Sequence, residues 1–336
     1  MIDTTAAVLP APRAAVAVTR ISLPAPGPGE VLLRIEACGL CHSDLRIAGL
    51  AKLPLSPLVL GHEAIGIVEA CGEGVDGFAA GDRAGVTFLA STCGQCDYCR
   101  SGRERFCGRQ VNTGYTRHGA MAERAVAPAG RLARIPADLD SARAAPLCCA
   151  GWTAYCAVRE AGLEPGQWLG VFGLGGLGHL GVQYGRARGL RIAAADLGEA
   201  KLEMARALGA ELTVPAAGAG RGLTRQLGGV DAAVVFAAAP EAIEEAFRAV
   251  KRAGTVVIAG LPIEPWQFAV SEAVLKGVTI RGSYLGAPAD LEEVFRLASA
   301  GVGLPRVTTH ELAETPALLE SMRHGELQGR AVVVFD

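Results

Sequence analysis

The stretch VFGLGGLGHLGVQYG, residues 171–185, decides the fold. An apolar run ending at Phe172 leads into Gly173, Gly175, Gly176 and Gly178, and a helical pattern follows. In such a strand–turn–helix the first glycine makes the tight turn. The second lets the backbone approach a pyrophosphate, and the third lets helix and strand pack closely. A helix start at this point offers free N–H groups and a positive dipole end to phosphate. A tight turn with no ligand would show the same glycines, so the context carries the reading. LRIAAAD, residues 190–196, reads as the next strand and ends in Asp196, about 20 residues beyond the glycines, where an acid accepts hydrogen bonds from ribose hydroxyls. That acid repels a 2′-phosphate, which favours NAD over NADP. Lys201, shortly after it, is grouped with the cofactor-binding residues.

Outward from this loop, apolar β runs alternate with helical patterns over residues 150–285. WLGVFG, LRIAAAD, VDAAVVFA, GTVVIAG and VTIRGSY are the β runs; helical segments follow the first three, and a turn follows GTVVIAG. This alternation is the mark of βαβ units around a parallel sheet, and the β runs are apolar throughout, as strands covered on both faces are. Residues 1–149 differ. Short β runs such as EVLLRIEA (30–37), EAIGIVEA (63–70) and DRAGVTFL (82–89) are broken by Gly- and Pro-rich turns. A helix, DLEEVFRLASAG, and a last strand, GRAVVVF, close the chain. The expected architecture is α/β, with a parallel-sheet Rossmann cofactor domain over 150–285 inserted into a β-rich domain formed by 1–149 and 286–336.

Composition narrows the function classes. The chain has 336 residues, is half hydrophobic and a fifth charged, and carries a net charge of −2. Nucleic acid and acidic membrane surfaces need concentrated positive charge, and none is present. No apolar run reaches the roughly 18–20 residues of a membrane span, and the N-terminus lacks the pattern of a signal peptide, so a cytoplasmic protein is expected. Ten cysteines are many for a reducing compartment, where they serve as metal ligands or catalytic groups more often than as disulfides.

Four of them, Cys93, Cys96, Cys99 and Cys107, lie in CGQCDYCRSGRERFC. Four thiolates in one loop can close a tetrahedron around zinc with no open position, which makes a structural site. Gly94, Gly102 and Gly108 let the loop turn. Unpaired buried thiols or an iron–sulfur cluster are the alternatives, and nothing else in the sequence supports a redox role for a cluster. A catalytic zinc needs about three protein ligands and an open position. Candidates are Cys41 in CHSDLR, His62 in LGHEAIG, and Cys148 or Cys149 in APLCCAGWT.

Taken together, CHSDLR, GHEAIG, the four-cysteine loop, CAGWT and GLGGLG resemble the zinc-dependent medium-chain alcohol dehydrogenases, in order and approximate spacing, over essentially the whole chain. The likeness is greatest to the tetrameric bacterial and yeast-like branch. It implies a GroES-like catalytic domain, two zinc ions per chain, NAD, and reversible hydride transfer between a primary or simple secondary alcohol and NAD+. It further implies that Cys41, His62 and Cys149 bind the catalytic zinc, with Glu63 just behind. Ser43 receives the alcohol's proton, Asp44 fixes the His62 tautomer, and His42 and Arg330 face the cofactor pyrophosphate. Thr153 lies near the nicotinamide, and Phe88 walls the substrate pocket. Partners are a small alcohol or aldehyde and other copies of the chain, a tetramer by resemblance. Relatives acting on aryl alcohols or polyols, and a non-catalytic NAD and zinc sensor, are the competing readings. Arg46 departs from the pattern: many similar enzymes have a histidine there that finishes a proton relay, and an arginine cannot act as a base near neutral pH.

Overall fold

The structure, a computed structural model, describes residues 1–335 and divides the chain into two units. One comprises Met1–Cys149, Ala287–Ala300 and the chain from Pro305 onward. The other comprises Ala150–Gly286 and Gly301–Leu304. No helix among the described residues is long and apolar enough to cross a membrane.

The first unit opens with β1 (Ile2–Leu9), β2 (Ala17–Leu23), β3 (Glu30–Gly39), α1 (His42–Ala48), β4 (Leu58–Val59), β5 (Ala64–Cys71) and β6 (Arg83–Val86). It continues with β7 (Leu89–Ser91), α2 (Asp97–Arg100), β8 (Val111–Asn112), β9 (Arg124–Pro128), β10 (Ala133–Arg134) and α3 (Ser141–Ala144). The second unit contributes α4 (Ala150–Glu160), β11 (Trp168–Phe172), α5 (Gly178–Ala187), β12 (Arg191–Asp196), α6 (Glu199–Ala207), β13 (Leu212–Pro215) and α7 (Ala219–Leu227). It ends with β14 (Val230–Val235), α8 (Pro240–Ala249), β15 (Val250–Ile258), α9 (Val270–Lys276) and β16 (Thr279–Gly282). The chain then rejoins the first unit through α10 (Pro288–Ser299), β17 (Val307–His310), α11 (Thr315–Arg323) and β18 (Arg330–Val334).

In the first unit a seven-stranded sheet runs β10-β6-β5-β3-β18-β17, with β9 also on β3. β3 is its spine. Val31, Leu33, Ile35 and Ala37 alternate into the core and are fully buried, as a period-2 pattern requires. β18 pairs antiparallel with β3, Val333 opposite Cys38, so β18 lies beside the strand that leads to Cys41. DRAGVTFL does not make one strand: it breaks after Val86, and the chain resumes at Leu89 in a separate two-stranded ribbon with β8.

The second unit is a six-stranded parallel sheet in the order β13-β12-β11-β14-β15-β16. The order reverses at β11, the topological switch point where α/β sheets bind ligands. Its central strands are small and apolar; Ala193, Ala194 and Ala195 of β12 and Val234 and Val235 of β14 are buried. Two expectations are corrected here. The turn expected after GTVVIAG contains α9, because parallel neighbours β15 and β16 need a crossover connection. And β16, expected to be covered on both faces, is an exposed edge in all four residues.

Candidate active site and metal centres

Three separate pieces of the first unit bring together one cluster. Cys41 is the N-cap residue of α1, directly after β3. His62 follows Gly61, whose φ of +91° and contact with the Met121 backbone leave no room for a side chain. Cys149 ends the short helical turn Ala145–Cys148. Ligand atoms of Cys41, His62, Glu63 and Cys149 all lie within 4.8 Å of one another, and all four residues are buried. Of the two adjacent cysteines it is Cys149 that joins the cluster. The Cys148 thiol points to the Ala144 carbonyl, 4.0 Å away, and burial pushes its pKa up.

Asp44 holds this cluster in shape. One carboxylate oxygen accepts the Cys41 N–H at 2.9 Å and the other the Gly61 N–H at 3.2 Å. The same Oδ1 lies 3.3 Å from His62 Nδ1, close enough for charge to act although not aligned as a hydrogen bond. Burial pulls the His62 pKa down, but Asp44 and Cys41 outweigh it and leave it well above the ordinary imidazole value. Beside it, the Cys149 thiol donates to Cys41, which holds the Cys41 thiol well below the usual range and Cys149 well above it.

Glu63 is fully buried, and burial pushes its pKa up to about 8 against the opposing pull of Arg330. Arg330 of β18, itself buried, donates to a Glu63 carboxylate oxygen and to the Leu40 carbonyl. The sequence reading set Arg330 against a pyrophosphate; the structure places its guanidinium under Glu63, a partnership between residues far apart in the chain that no local pattern announces. Phe88 meets the His62 ring edge-on, centroids 5.1 Å apart. Ser43 lies with its hydroxyl 3.6 Å from the Cys41 sulfur. His42 and Arg46 are exposed, one helical turn apart on α1.

The donor set fits a divalent metal such as zinc. Two thiols and an imidazole are zinc ligands. His62 Nε2 and Glu63 Oε1 are buried with no hydrogen-bond partner, a costly arrangement unless something binds there.

The second cluster is self-contained. Cys93, Cys96, Cys99 and Cys107 place their sulfurs within 4.8 Å of one another, with Cys96–Cys99 at 3.5 Å and Cys93–Cys107 at 3.6 Å. Backbone N–H groups of Gln95 and Cys96 point at Cys93 and hold its thiol down to about 5. Four converging sulfurs, one already a thiolate at neutral pH, fit a closed tetrahedral zinc site. Gly94 and Gly102 adopt φ of +69° and +68°, whereas Gly108 has no such conformation. No cysteine is in a disulfide.

In the second unit the glycine loop follows β11. Gly173 has a φ of +91°, and a Cβ there would meet the Ala237 backbone at 2.6 Å. A Cβ on Gly178 would lie 1.8 Å from the Gly173 carbonyl. Around Gly175 nothing lies within 4 Å, so the loop leaves a cradle there that a side chain would fill. Asp196, at the end of β12, turns one oxygen to the Leu174 N–H at 2.6 Å and the other to the Gly198 N–H at 3.2 Å. Lys201 Nζ is 3.8 Å from the latter oxygen. A carboxylate has about four accepting positions, so capacity remains for ribose hydroxyls. Gly176 sits in the turn beside Gly175, and Thr153 lies on α4, half-buried.

The chain is thus a two-unit α/β protein with a Rossmann sheet and two cysteine-rich clusters whose donor sets fit metal ions. The alcohol dehydrogenase GroES-like domain matches residues 27–137, and the zinc-binding dehydrogenase domain matches residues 176–300. An alcohol dehydrogenase of Geobacillus stearothermophilus is 41% identical over 309 residues, 91% of either chain. One from Rhizobium meliloti strain 1021 is 39% identical over 94% of either chain. The solved alcohol dehydrogenase of Aeropyrum pernix superposes with a TM-score of 0.92 at 30% identity, over 98% of this chain and all of that one. The chain belongs to the zinc-dependent medium-chain alcohol dehydrogenase family.

Proposed function

We propose that this alcohol dehydrogenase uses zinc and NAD to interconvert a primary or simple secondary alcohol with its aldehyde or ketone. The observation that carries the reading is the buried convergence of Cys41, His62 and Cys149, with His62 Nε2 left unpartnered. Those three residues would hold the catalytic zinc, and the four-cysteine loop a structural one. Bound there, zinc supplies Lewis acidity to an alcohol oxygen. The chain's own residues do the rest. Asp44 fixes both Cys41 and the loop carrying His62. The Ser43 hydroxyl, beside Cys41, receives the alcohol's proton. Phe88 packs on the His62 ring and walls the pocket for the substrate. Asp196 supports NAD over NADP, since its carboxylate would repel a 2′-phosphate. Arg46 carries permanent charge and accepts no proton, so the proton passes from Ser43 towards the ribose and leaves from there to water or another base.

For association, the exposed edge strand β16 and the neighbouring exposed Val270, Val274 and Leu275 of α9 support joining of identical copies. The test is NADH formation by the zinc-replete protein over linear, branched, benzylic and polyhydroxy alcohols, with NADP+ as control. Turnover with NAD+ and a preference for simple alcohols is expected. Absence of turnover in both directions, with two zinc ions bound per chain, would overturn the reading.

A further inference from the structure

The glycine loop contains a device that the sequence reading passed over. His179, in the first turn of α5, is 1% exposed. Its Nδ1 lies 2.8 Å from the Gly175 carbonyl oxygen. A carbonyl only accepts, so Nδ1 carries the hydrogen and the tautomer is fixed. The same carbonyl also accepts the His179 backbone N–H, at 3.3 Å. Two donors from one residue therefore pin one peptide group. That peptide joins Gly175 to Gly176, and in a trans peptide the C=O and the following N–H point in opposite directions. Pulling the Gly175 carbonyl inward toward α5 turns the Gly176 N–H outward. Among the described residues, the Gly175 and Gly176 N–H groups have no protein partner. They border the open space around Gly175. Two adjacent glycines have almost no intrinsic preference for one peptide orientation, so without an anchor this peptide is free to flip.

We propose that His179 is a positioning residue for cofactor binding: its Nδ1–H holds the Gly175–Gly176 peptide in the orientation that offers the Gly176 N–H to the pyrophosphate. The inference rests on the reading that the glycine loop binds NAD. It predicts what a buried histidine with a purely space-filling role would not, namely a requirement for an N–H donor at the Nδ1 position. Asparagine can supply an amide N–H near that position, and leucine fills similar space without one.

The experiment compares wild type, His179→Asn and His179→Leu as zinc-replete full chains, with zinc content and thermal midpoint recorded to establish folding. NADH affinity is read by fluorescence titration, with adenosine, which lacks the pyrophosphate, as the second probe. Amide hydrogen exchange of residues 173–178 is measured without cofactor. His179→Leu should bind NADH about tenfold more weakly, roughly the worth of one well-placed hydrogen bond, with adenosine binding unchanged. The loop amides should exchange faster, and His179→Asn should restore both properties. Equal NADH affinity in wild type and His179→Leu, unchanged loop exchange, or failure of His179→Asn to restore either would overturn the proposal. If wild type bound no NADH, the cofactor reading itself would fall, while the exchange measurement would still decide whether His179 holds the loop.

Discussion

Replacing Arg330 by methionine tests how the inner shell of the metal cluster is built. Arg330 is 3% exposed and Glu63 fully buried, and the guanidinium also serves the Leu40 carbonyl. In an assay run above about pH 8, where Glu63 is ionised beside Arg330, removing one partner of the buried pair leaves the other charge uncompensated and costs about 3–5 kcal/mol. Glu63→Gln should cost a similar amount, since it strands a guanidinium. In the double variant Glu63→Gln/Arg330→Met neither charge of the pair remains. The surviving loss is then mainly the Leu40 carbonyl's donor, about 1 kcal/mol. The double variant should therefore be more stable than either single one, with a coupling of about 3 kcal/mol or more. The assay is urea unfolding at equal protein concentration with excess zinc. It is followed by far-UV circular dichroism, because Trp152, Trp168 and Trp266 all lie in the other unit. Additive losses, or single variants within 1 kcal/mol of wild type, would refute the account of Arg330 as Glu63's buried counter-charge.

Four further outcomes are expected. Gly175→Val should leave the thermal midpoint nearly unchanged, because nothing lies within 4 Å of its Cβ position, yet should weaken NADH binding at least tenfold. Gly178→Ala, whose Cβ would collide with the Gly173 carbonyl, should instead lower the midpoint. Cys107→Ser should halve the zinc content measured by atomic emission and lower stability by several kcal/mol, while Cys41, His62 and Cys149 keep their metal; loss of both metals would refute the independence of the two centres. His118 has its pKa lowered by burial, and its Nδ1 accepts the Val59 N–H at 3.2 Å. A depressed folded pKa means that the unfolded chain binds the proton first. Stability from this group is therefore present above pH 6.5 and lost as the pH falls below it. The slope of unfolding free energy between pH 5 and 6.5 should be shallower in His118→Gln; an identical slope would count against this group.

The Rossmann unit was legible because its signals are local. Gly173, Gly175 and Gly178 follow a strand at fixed spacing, and Asp196 ends the next one. The four-cysteine loop is legible for the same reason, since all its ligands fall within fifteen residues. The buried Cys41, His62 and Cys149 were candidates from residue type, but family likeness was needed to group them and to choose Cys149 over Cys148, because they meet through the fold and not through spacing. What the residues alone did not disclose was tertiary. Arg330 reaches Glu63 because β18 pairs with β3, and α9 exists because two parallel strands must be joined. The exposed β16 reads as a buried strand in sequence, since Thr279 and Ile280 favour strands wherever they are placed. Its position at the sheet edge is set by topology.

Asp196 has a consequence for how this chain can change over evolutionary time. Its carboxylate, which on the proposed reading serves the ribose, also ties down the start of the glycine loop through the Leu174 N–H. A substitution that welcomed a 2′-phosphate would thus untie the loop at the same stroke. On the proposed reading, cofactor preference and loop order are one heritable trait here, not two. A lineage drifting toward NADP would have to acquire a second anchor for Leu174 before, or together with, the loss of its acid.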